Sequence, residues 1–275
     1  MTAGSREGVF SATSTDDAEY LVRLDDIVYS YAPDKEVLSG VNLGIHSGEF
    51  ISIVGPSGCG KSTLLSLIAG LAKPDSGAIR WAGGMSRSKT RPLFTLVFQK
   101  DTLLPWLSVE KNVSFGLRYL DITKEEAAAR TDQLLSLVDL SHVRHQYPGK
   151  LSGGQRRRVS LLMGIAPLPH VLLLDEPFSA LDEPTRIGIH AELLKMTHEM
   201  GITTILVTHD IGEAVSLSDR VCVMSSSPSR VASDIPMSFE EPRDMMMIRE
   251  LPGYQKSYSE VWRDLRLQIH PTVER

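Results

Sequence analysis

A glycine-rich stretch follows the apolar run Phe50 to Val54 and has a lysine and a serine directly after its last glycine. Its residues are Gly55, Pro56, Ser57, Gly58, Cys59, Gly60, Lys61, Ser62 and Thr63. Glycines let successive backbone NH groups converge on phosphate oxygens, and the next helix turns its positive N-terminal end toward the same charge. In this pattern Lys61 faces the terminal phosphates and Ser62 faces Mg2+. The stretch predicts a site for a nucleoside triphosphate, because a plain strand-to-helix turn does not require that lysine and serine.

Two carboxylates end a second apolar run, Val171 to Leu174. A buried parallel strand delivers acids in this way to the C-terminal edge of a sheet. Asp175 is suited to hold Mg2+ through water, and Glu176 is suited to polarise the water that attacks a γ-phosphate. Two acids alone could be solvated turn residues. Beside the glycine-rich loop they favour triphosphate hydrolysis.

A second glycine pair lies in the segment Leu151 to Gln155. Ser152 is a capping residue, and Gly153 and Gly154 precede the helical run Arg156 to Leu162. The exposed NH groups of such a helix start form an anion site. The chain is therefore predicted to carry two phosphate-binding helix ends.

Strand-length apolar runs alternate with helical segments and must position these groups. The runs are Phe50 to Val54, Phe94 to Phe98, Val171 to Leu174, Thr203 to Thr208 and Arg220 to Met224. This alternation predicts an α/β fold, a P-loop NTPase core with a mainly parallel sheet. Residues 20–45 are interpreted as an N-terminal β region, antiparallel in the predicted fold. A helical pattern from Gln99 to Met163, with a capping box at Thr123 and Glu126, predicts an inserted α-helical subdomain.

The two ends of the chain differ from this core. We expect a polar N-terminal tail over residues 1–19, an ATPase domain over 20–240 with its helical insertion at about 100–163, and a C-terminal extension over 241–275. The region after Ser225 is interpreted as irregular. The last helix is predicted at Ser257 to Ile269, with Val261, Trp262, Leu265 and Ile269 near one packed face.

Composition narrows the classes of partner. The 275 residues are 42% apolar and carry 29 basic against 34 acidic side chains, a net charge of -5 that gives no broad attraction to nucleic acid. Arg156 to Arg158 are accordingly interpreted as a solvated helix face. No apolar run approaches the roughly 20 residues of a membrane span. The two cysteines, Cys59 and Cys222, suit packing roles in a reducing compartment, and a soluble cytoplasmic chain is expected.

The segment Leu151 to Gln155 resembles the signature motif of ATP-binding cassette (ABC) ATPases, with the same five letters. Gln99 ends a strand as that family's Q-loop glutamine does, and His209 ends a strand as its switch histidine does. Ser179-Ala180-Leu181-Asp182 resembles its D-loop, and Tyr31 lies where the family places an adenine-stacking aromatic. From about Tyr20 to Met224, the chain resembles ABC ATPases in the order and spacing of these elements.

The resemblance implies a homodimer, or a pair with a similar subunit, in which ATP lies between the glycine-rich loop of one subunit and the signature motif of the other. Residues Ser152, Gly153, Gly154 and Gln155, together with Asp182, would then contribute to nucleotide binding across the interface. It further implies that His209 contacts the γ-phosphate and that Gln99 couples Mg2+ and water to the helical insertion. The predicted catalytic set is therefore Glu176, His209 and Gln99, and the predicted Mg2+ set is Ser62, Gln99 and Asp175.

The residues after Gln99 resemble one branch of the family. Leu103-Leu104-Pro105-Trp106 is similar to the post-Q-loop region of nitrate/sulfonate/taurine importers, and Pro228-Ser229-Arg230 is similar to their Pro-Gly-Arg, with Ser229 in place of glycine. This implies docking on membrane permease subunits at the inner face of the membrane, indirect use of an extracytoplasmic solute-binding protein, and a small anionic solute such as an aliphatic sulfonate, taurine or nitrate. Trp106 would lie near the docking groove, or be ordinary packing of the insertion.

One stretch departs from the family pattern, and two other functions compete. Leu162 to Ile165 stands where members have an Ala-Arg-Ala-like stretch, and with Pro167 and Pro169 it predicts a loosened helix end or a change in how the helix packs. A non-transport ABC ATPase acting on nucleic acid or a soluble complex would share every nucleotide motif. The chain shows no second cassette, long coiled coil or basic tail that would favour it. A P-loop kinase would leave Leu151 to Gln155 without a role.

Overall fold

A three-stranded antiparallel sheet lies at the N-terminal end of the chain. The computed structural model describes residues 20–82, 88–179, 181–240 and 242–269. The strands of this sheet are β1 (Val22–Ala32), β2 (Lys35–Ile45) and β4 (Ser76–Trp81), in the order β2-β1-β4. The predicted antiparallel region is confirmed, although its strands are longer than the sequence indicates. The predicted tail at 1–19 lies outside the described residues.

A six-stranded sheet forms the centre of the fold, in the order β5-β6-β7-β3-β8-β9. Its strands are β3 (Phe50–Val54), β5 (Phe94–Val97), β6 (Val171–Asp175), β7 (Thr203–Val207), β8 (Arg220–Met224) and β9 (Val231–Pro236). All neighbouring pairs are parallel except β8 with β9. The segments that follow β5, β6, β7 and β3 therefore leave the same edge of the sheet from adjacent strands. The predicted α/β class is confirmed.

Two strands escaped sequence prediction. β9 lies in the region interpreted as irregular, so that interpretation is wrong for residues 231–236. It is an edge strand on which only Ile235 is fully buried, and it ends in Pro236, which an edge tolerates. β4 is equally short and has buried side chains only at Ile79 and Trp81. Such strands lack the continuous apolar run that marks the central ones.

Helices cover the sheet and build the insertion. α1 (Lys61–Ile68), α5 (Glu183–Glu199) and α6 (Ile211–Leu217) each follow a loop from the central sheet. The insertion contains α2 (Val109–Val113), α3 (Lys124–Leu137) and α4 (Gly153–Ile165), with short 3-10 turns at Gly116–Tyr119, Ser141–Val143 and Pro148–Lys150. The Thr123 and Glu126 capping box is present. The predicted helical insertion is confirmed. None of the helices described is both long enough and apolar enough to cross a bilayer.

The core lies on both faces of the central sheet, because successive strand residues point to opposite sides. On β6, Leu172 and Leu174 pack with the insertion and α5, whereas Val171 and Leu173 pack with α1 and the antiparallel sheet. Both cysteines are buried, as predicted. Two layers therefore hold the central strands, and through them their carboxyl ends, in fixed positions.

Of the two effects predicted for Leu162 to Ile165, loosening of the end of α4 is not observed. The helix continues through Ile165, and Leu162 and Ile165 are fully buried. Gly164 lies so close to β5 that a Cβ atom there would come within 2.6 Å of Val97 Cγ2. Its carbonyl accepts a hydrogen bond from Thr95 Oγ1 at 2.7 Å. The glycine lets the end of α4 pack directly on the sheet.

The last helix, α7 (Pro252–Ile269), starts five residues earlier than predicted and buries Val261 and Leu265 of the predicted face but not its other two residues. Its buried residues are Tyr254, Val261 and Leu265, whereas Trp262 is 47% exposed and Ile269 is 43% exposed. The helix packs against α6 and β8. Packing on the body is confirmed, but the assignment of Trp262 and Ile269 to the packed face is wrong.

Candidate functional site

The glycine-rich loop forms a concave backbone between β3 and α1. Gly58 has a φ of 75° and Gly60 a φ of 104°, both in the region that favours glycine. A Cβ atom on Gly60 would also lie 2.7 Å from Val37 Cγ1. β2 thus packs against the loop from behind, while α1 begins at Lys61 with its NH groups directed into the concavity. This backbone can bind an anion.

The ammonium group of Lys61 lies inside this loop. Its Nζ donates to the carbonyl oxygens of Gly55 and Pro56, each at 3.0 Å, and the residue is only 7% exposed. The bonds hold the charge among the loop's own backbone groups. A cation and free NH groups are the donors that phosphate oxygens require.

Ser62 and Asp175 meet at the next position along the edge. Ser62 Oγ donates to Asp175 Oδ1 at 2.9 Å. Burial raises the pKa of Asp175, as does nearby Glu176, while the hydrogen bond from Ser62 and the charge of Lys61 lower it. These hydroxyl and carboxylate oxygens are the hard donors that Mg2+ prefers, so the pair fits this ion.

Glu176 joins the ends of three adjacent strands. Its Oε2 accepts a hydrogen bond from Gln99 Nε2, after β5, at 3.1 Å, and lies 3.1 Å from His209 Nδ1, after β7. Glu176 has a φ of 44°, a strained value for a non-glycine residue that changes the direction of the chain directly after Asp175. Gln99 Nε2 also lies 3.4 Å from Ser179 Oγ. A carboxylate held by two side chains can orient and deprotonate water.

Tyr31 lies beside the start of α1. Its hydroxyl shares a 2.7 Å hydrogen bond with Thr63 Oγ1, and its ring packs edge-to-face on Tyr29 with centroids 5.3 Å apart. The side chain remains 64% exposed. This presents an aromatic surface next to the glycine-rich loop.

The signature segment, Leu151 to Gln155, forms a separate helix end. Ser152 Oγ accepts from Gln155 N at 3.2 Å, and Gln155 Oε1 accepts from Ser152 N at 2.9 Å, which completes a capping box. A Cβ atom on Gly154 would lie 2.7 Å from Thr185 Cγ2 of α5, so the two helix starts touch. Asp182 caps α5 by accepting from Thr185 N and Oγ1, bonds that lower its pKa.

The structure brings the predicted catalytic and Mg2+-binding residues together beside the glycine-rich loop, but it leaves the signature segment separate from them. Lys61 bonded within the glycine-rich loop, the hydrogen-bonded pairs Ser62–Asp175 and Gln99–Glu176, and His209, 3.1 Å from Glu176, form one group at the sheet edge. Within the described residues no hydrogen bond links Ser152, Gly153, Gly154 or Gln155 to that group. Ala180 of the predicted D-loop lies outside the described residues.

Two residues next to the site were missed or misread from sequence. Arg157 was assigned to a solvated face, but it is 3% exposed and donates to the carbonyl of Phe98 at 3.0 Å. Only Arg156 and Arg158 fit that interpretation, each with a partly exposed acidic partner. Ser229 is fully buried, and its hydroxyl donates to the carbonyl of Cys59 within the glycine-rich loop. Its place in the Pro-Ser-Arg triplet was the available signal.

Residues 38–179 match the family model described as ABC transporter. The chain is 40% identical over 227 residues to the bicarbonate transport ATP-binding protein CmpC of Synechococcus elongatus, covering 82% of this chain and 34% of that protein. It is 39% identical over 234 residues to the nitrate import ATP-binding protein NrtC of the same species, covering 84% and 35%. The chain thus spans about a third of the length of these two relatives.

Relatives with other solutes and solved structures also match. The spermidine/putrescine import ATP-binding protein PotA of Ruegeria pomeroyi is 41% identical over 219 residues, covering 79% of this chain and 60% of that protein. The ATP-binding cassette MJ0796, solved as a dimer in a post-hydrolysis state bound to ADP and Pi, aligns with a TM-score of 0.66 and 31% identity, over 80% of this chain and 100% of that one.

Proposed function

This chain belongs to the ABC transporter family, and we propose that it binds and hydrolyses ATP as the motor subunit of an importer. The observation that carries the proposal is the bonded group at the sheet edge, where Glu176 is held between Gln99 and His209 beside the glycine-rich loop. A triphosphate bound by that loop would present its terminal phosphate to this group.

Nucleotide binding is assigned to the loop and to Tyr31. The NH groups from Gly58 to Thr63 and the ammonium of Lys61 would hold the phosphates. The exposed ring of Tyr31 would stack on the adenine, with its hydroxyl fixed by Thr63. Ser62 and Asp175, joined in the structure, would hold Mg2+ with Gln99 at the third position. Bound Mg2+ would neutralise charge on the phosphates.

Hydrolysis is assigned to Glu176 as general base. Its carboxylate would take a proton from the attacking water, while Gln99 and His209 keep Oε2 in place. His209 is 60% exposed at its side chain, so it is free to contact a γ-phosphate as well. The raised pKa of Asp175 fits a carboxylate whose charge a bound cation would stabilise.

A second copy of the chain would complete the site. The helix start at Ser152 to Gln155 has its own capping box and no bond to the glycine-rich loop, so its NH groups can face a nucleotide held by another subunit. Asp182 lies at the adjoining helix start. The dimeric state of MJ0796 bound to ADP and Pi supports this arrangement.

The helical insertion is assigned to docking on permease subunits at the inner face of the membrane. Trp106 is 70% exposed, which favours a contact role over packing of the insertion. The insertion also has a cavity of about 460 Å³, lined by residues of α2, α3 and the segment between them. Its apolar lining includes Leu117, Ile122 and Ala127. A permease segment would insert there, and an extracytoplasmic binding protein would deliver the solute. Residues 20–240 are retained as the ATPase domain and 241–275 as an extension.

The solute is assigned to the small anions. The names of two relatives specify small planar oxyanions, bicarbonate and nitrate. The similarity of the residues after Gln99 to nitrate/sulfonate/taurine importers adds aliphatic sulfonates and taurine. The match to PotA makes a polyamine the opposing candidate.

Co-purification tests the transport proposal. The Glu176→Gln chain is captured from detergent-solubilised membranes with ATP present, and Trp106→Glu in the same background is the matched control. We expect a multi-span permease in the first sample and its loss in the second. Recovery of nucleic acid or soluble proteins alone would instead support a non-transport ATPase. With the captured permease and its binding protein reconstituted, ATPase stimulation by nitrate, bicarbonate or taurine supports the anion assignment, and stimulation by spermidine contradicts it.

A further inference from the structure

Arg157 is a buried cation on α4 that bonds to the backbone of the Gln99 segment. Its side chain is 4% exposed. Nη1 donates to the carbonyl oxygens of Phe98 at 3.0 Å and Gln99 at 3.4 Å, and it lies 3.8 Å from Asp101 Oδ1. The helix that begins at the signature segment is thus fastened to the residues that follow β5.

The cost of this burial is only partly offset. Burial lowers the pKa of Arg157 to about 10, with Asp101 acting in the opposite direction, so the guanidinium stays charged at neutral pH. Nε and Nη2 have no hydrogen-bond partner among the described residues. An apolar side chain of similar volume could fill the space without desolvating a charge. The presence of a charged side chain here is therefore better explained by the hydrogen bonds from Nη1 to the backbone of Phe98 and Gln99 than by a contribution to folding stability.

The neighbouring arginines make different contacts. Arg156 pairs with Asp101 and donates to Leu151 O within its own helix start, and Arg158 pairs with Glu192 of α5. Of these three consecutive arginines, only Arg157 donates to the backbone of Phe98 and Gln99. Gln99 then continues the connection through its side chain to Glu176.

We propose that Arg157 is a positioning residue that couples the signature helix α4 to the catalytic carboxylate, by fixing the backbone from which Gln99 reaches Glu176. This inference rests on the proposed ATPase function. A shift of α4 when the signature segment meets a nucleotide would move the Gln99 carbonyl through Nη1, and with it the amide that holds Glu176. The two remaining nitrogens provide donors for carbonyls that come within reach as the segment moves.

A double-mutant cycle on the full chain tests the proposal. ATP hydrolysis is measured for the wild type, Arg157→Met, Gln99→Ala and the double variant. We expect Arg157→Met to lower kcat roughly tenfold with little change in KM for ATP, and to have almost no further effect in the Gln99→Ala background. Arg157→Lys, which keeps the charge and a donor, should recover part of the rate. If the two losses multiply, Arg157 does not act through Gln99 and the proposal is overturned.

Arg130→Met is the matched control, since Arg130 also donates to a backbone carbonyl, Ala166 O at 3.2 Å, but at the other end of α4. Its effect should multiply with that of Gln99→Ala. Hydrogen exchange of the backbone of residues 98–103 gives a second readout that does not depend on ATPase activity. It is compared between the wild type and Arg157→Met, or Arg157→Lys if Arg157→Met does not fold. A larger increase in exchange rate at these residues than elsewhere in the variant supports the proposal, and an unchanged rate overturns it. A wild type without ATPase activity would refute the proposed function, while the exchange experiment would still test the tether.

Discussion

The sheet edge and the signature helix end both present backbone NH groups to an anion, but they differ in how they are bonded. At the sheet edge, side chains from β5, β6, β7 and α1 bond to one another across four adjacent strand ends. At the signature end, Ser152 and Gln155 bond to each other. Gly153 beside them has room for a side chain, since a Cβ atom there would lie 3.9 Å from Arg156 Nη2, an ordinary contact distance.

This difference indicates that the sheet edge and the signature end are organised for different roles. The sheet edge is organised for chemistry within one chain, because each group already has the partner that orients it. The segment Ser152 to Gln155 is held by its own capping box, and Arg157, further along α4, ties the helix to the backbone of Phe98 and Gln99. On the proposed function, the segment is therefore available to complete the site of a second copy.

Glu176→Gln should produce the largest effect, because it removes the base and keeps the size of the side chain. We expect kcat to fall by about 10²- to 10⁴-fold, the usual range for loss of general base catalysis, with ATP affinity retained. Single-turnover hydrolysis and equilibrium binding measure the two quantities. Robust turnover by this variant would show that the proton goes elsewhere.

Gly153→Asp should act on the other region and separate activity from stability. The position has room for a side chain, and an acidic residue in the first turn of α4 favours the helix. The carboxylate would repel a phosphate, so we expect a hydrolysis loss of roughly 100-fold with an unchanged or higher melting temperature. Gly149→Asp is the control, since Gly149 also has open space around it and lies outside the signature segment. Equal losses in both variants would contradict a specific role for Gly153.

Lys61→Ala should weaken binding within one chain. Charge-assisted bonds to phosphate would be lost, so we expect the Kd for ATP to rise about 10- to 100-fold. Titration calorimetry measures it, and thermal unfolding controls for the bonds from Nζ to Gly55 and Pro56 that also disappear. Under conditions in which the chain stays monomeric, combining Lys61→Ala with Gly153→Asp should leave this Kd unchanged from Lys61→Ala alone, because the signature end does not bind the nucleotide of its own chain.

Glu213→Gln should have the smallest effect, a change in how the free energy of unfolding depends on pH. Glu213 lies on α6, which follows the sheet-edge residue His209, whereas Ser152 to Gln155 includes no titratable side chain. Burial raises the pKa of Glu213 to about 7, and burial lowers the pKa of His190, 4.0 Å away, to about 3. The folded state keeps a proton on Glu213 that the unfolded state releases as pH rises from 4.5 to 7, so this group makes stability fall.

His190 acts in the opposite sense, because only the unfolded state takes up its proton between pH 6.5 and 3. These two contributions should nearly cancel in the wild type from pH 4.5 to 6.5. In Glu213→Gln the contribution of His190 is no longer offset, so the free energy of unfolding should rise with pH over that window more steeply than in the wild type, by roughly 1 kcal/mol per unit. Chemical denaturation across pH measures both profiles, and equal slopes in the two proteins would contradict these shifts.

Strong local patterns made the central sheet and the site predictable from sequence. The runs before Gly55 and Asp175 are continuous and apolar because both faces of those strands are buried, and the functional residues follow them directly. The order of the strands cannot be read from such runs. It is this order that brings Gln99, Glu176 and His209 together.

Features set by tertiary contact were not predictable. Nothing in a run of three arginines distinguishes the buried Arg157 from its partly exposed neighbours, since all three begin the same helix. Helical periodicity correctly placed Val261 and Leu265 on the packed face of α7, but it also allowed Trp262 there, whereas the body covers Tyr254. The strands β4 and β9 are defined by the partners they pair with more than by their own side chains.

The most direct test of the central claim, that two copies of this chain complete one another's sites, is the molar mass of the Glu176→Gln chain by light scattering with and without ATP. We expect a change from the monomer mass of 30.3 kDa to twice that value when ATP is added. The double variant Glu176→Gln, Gly153→Asp should stay monomeric under the same conditions. A Glu176→Gln chain that stays monomeric with saturating ATP, or a double variant that pairs equally well, would contradict that claim.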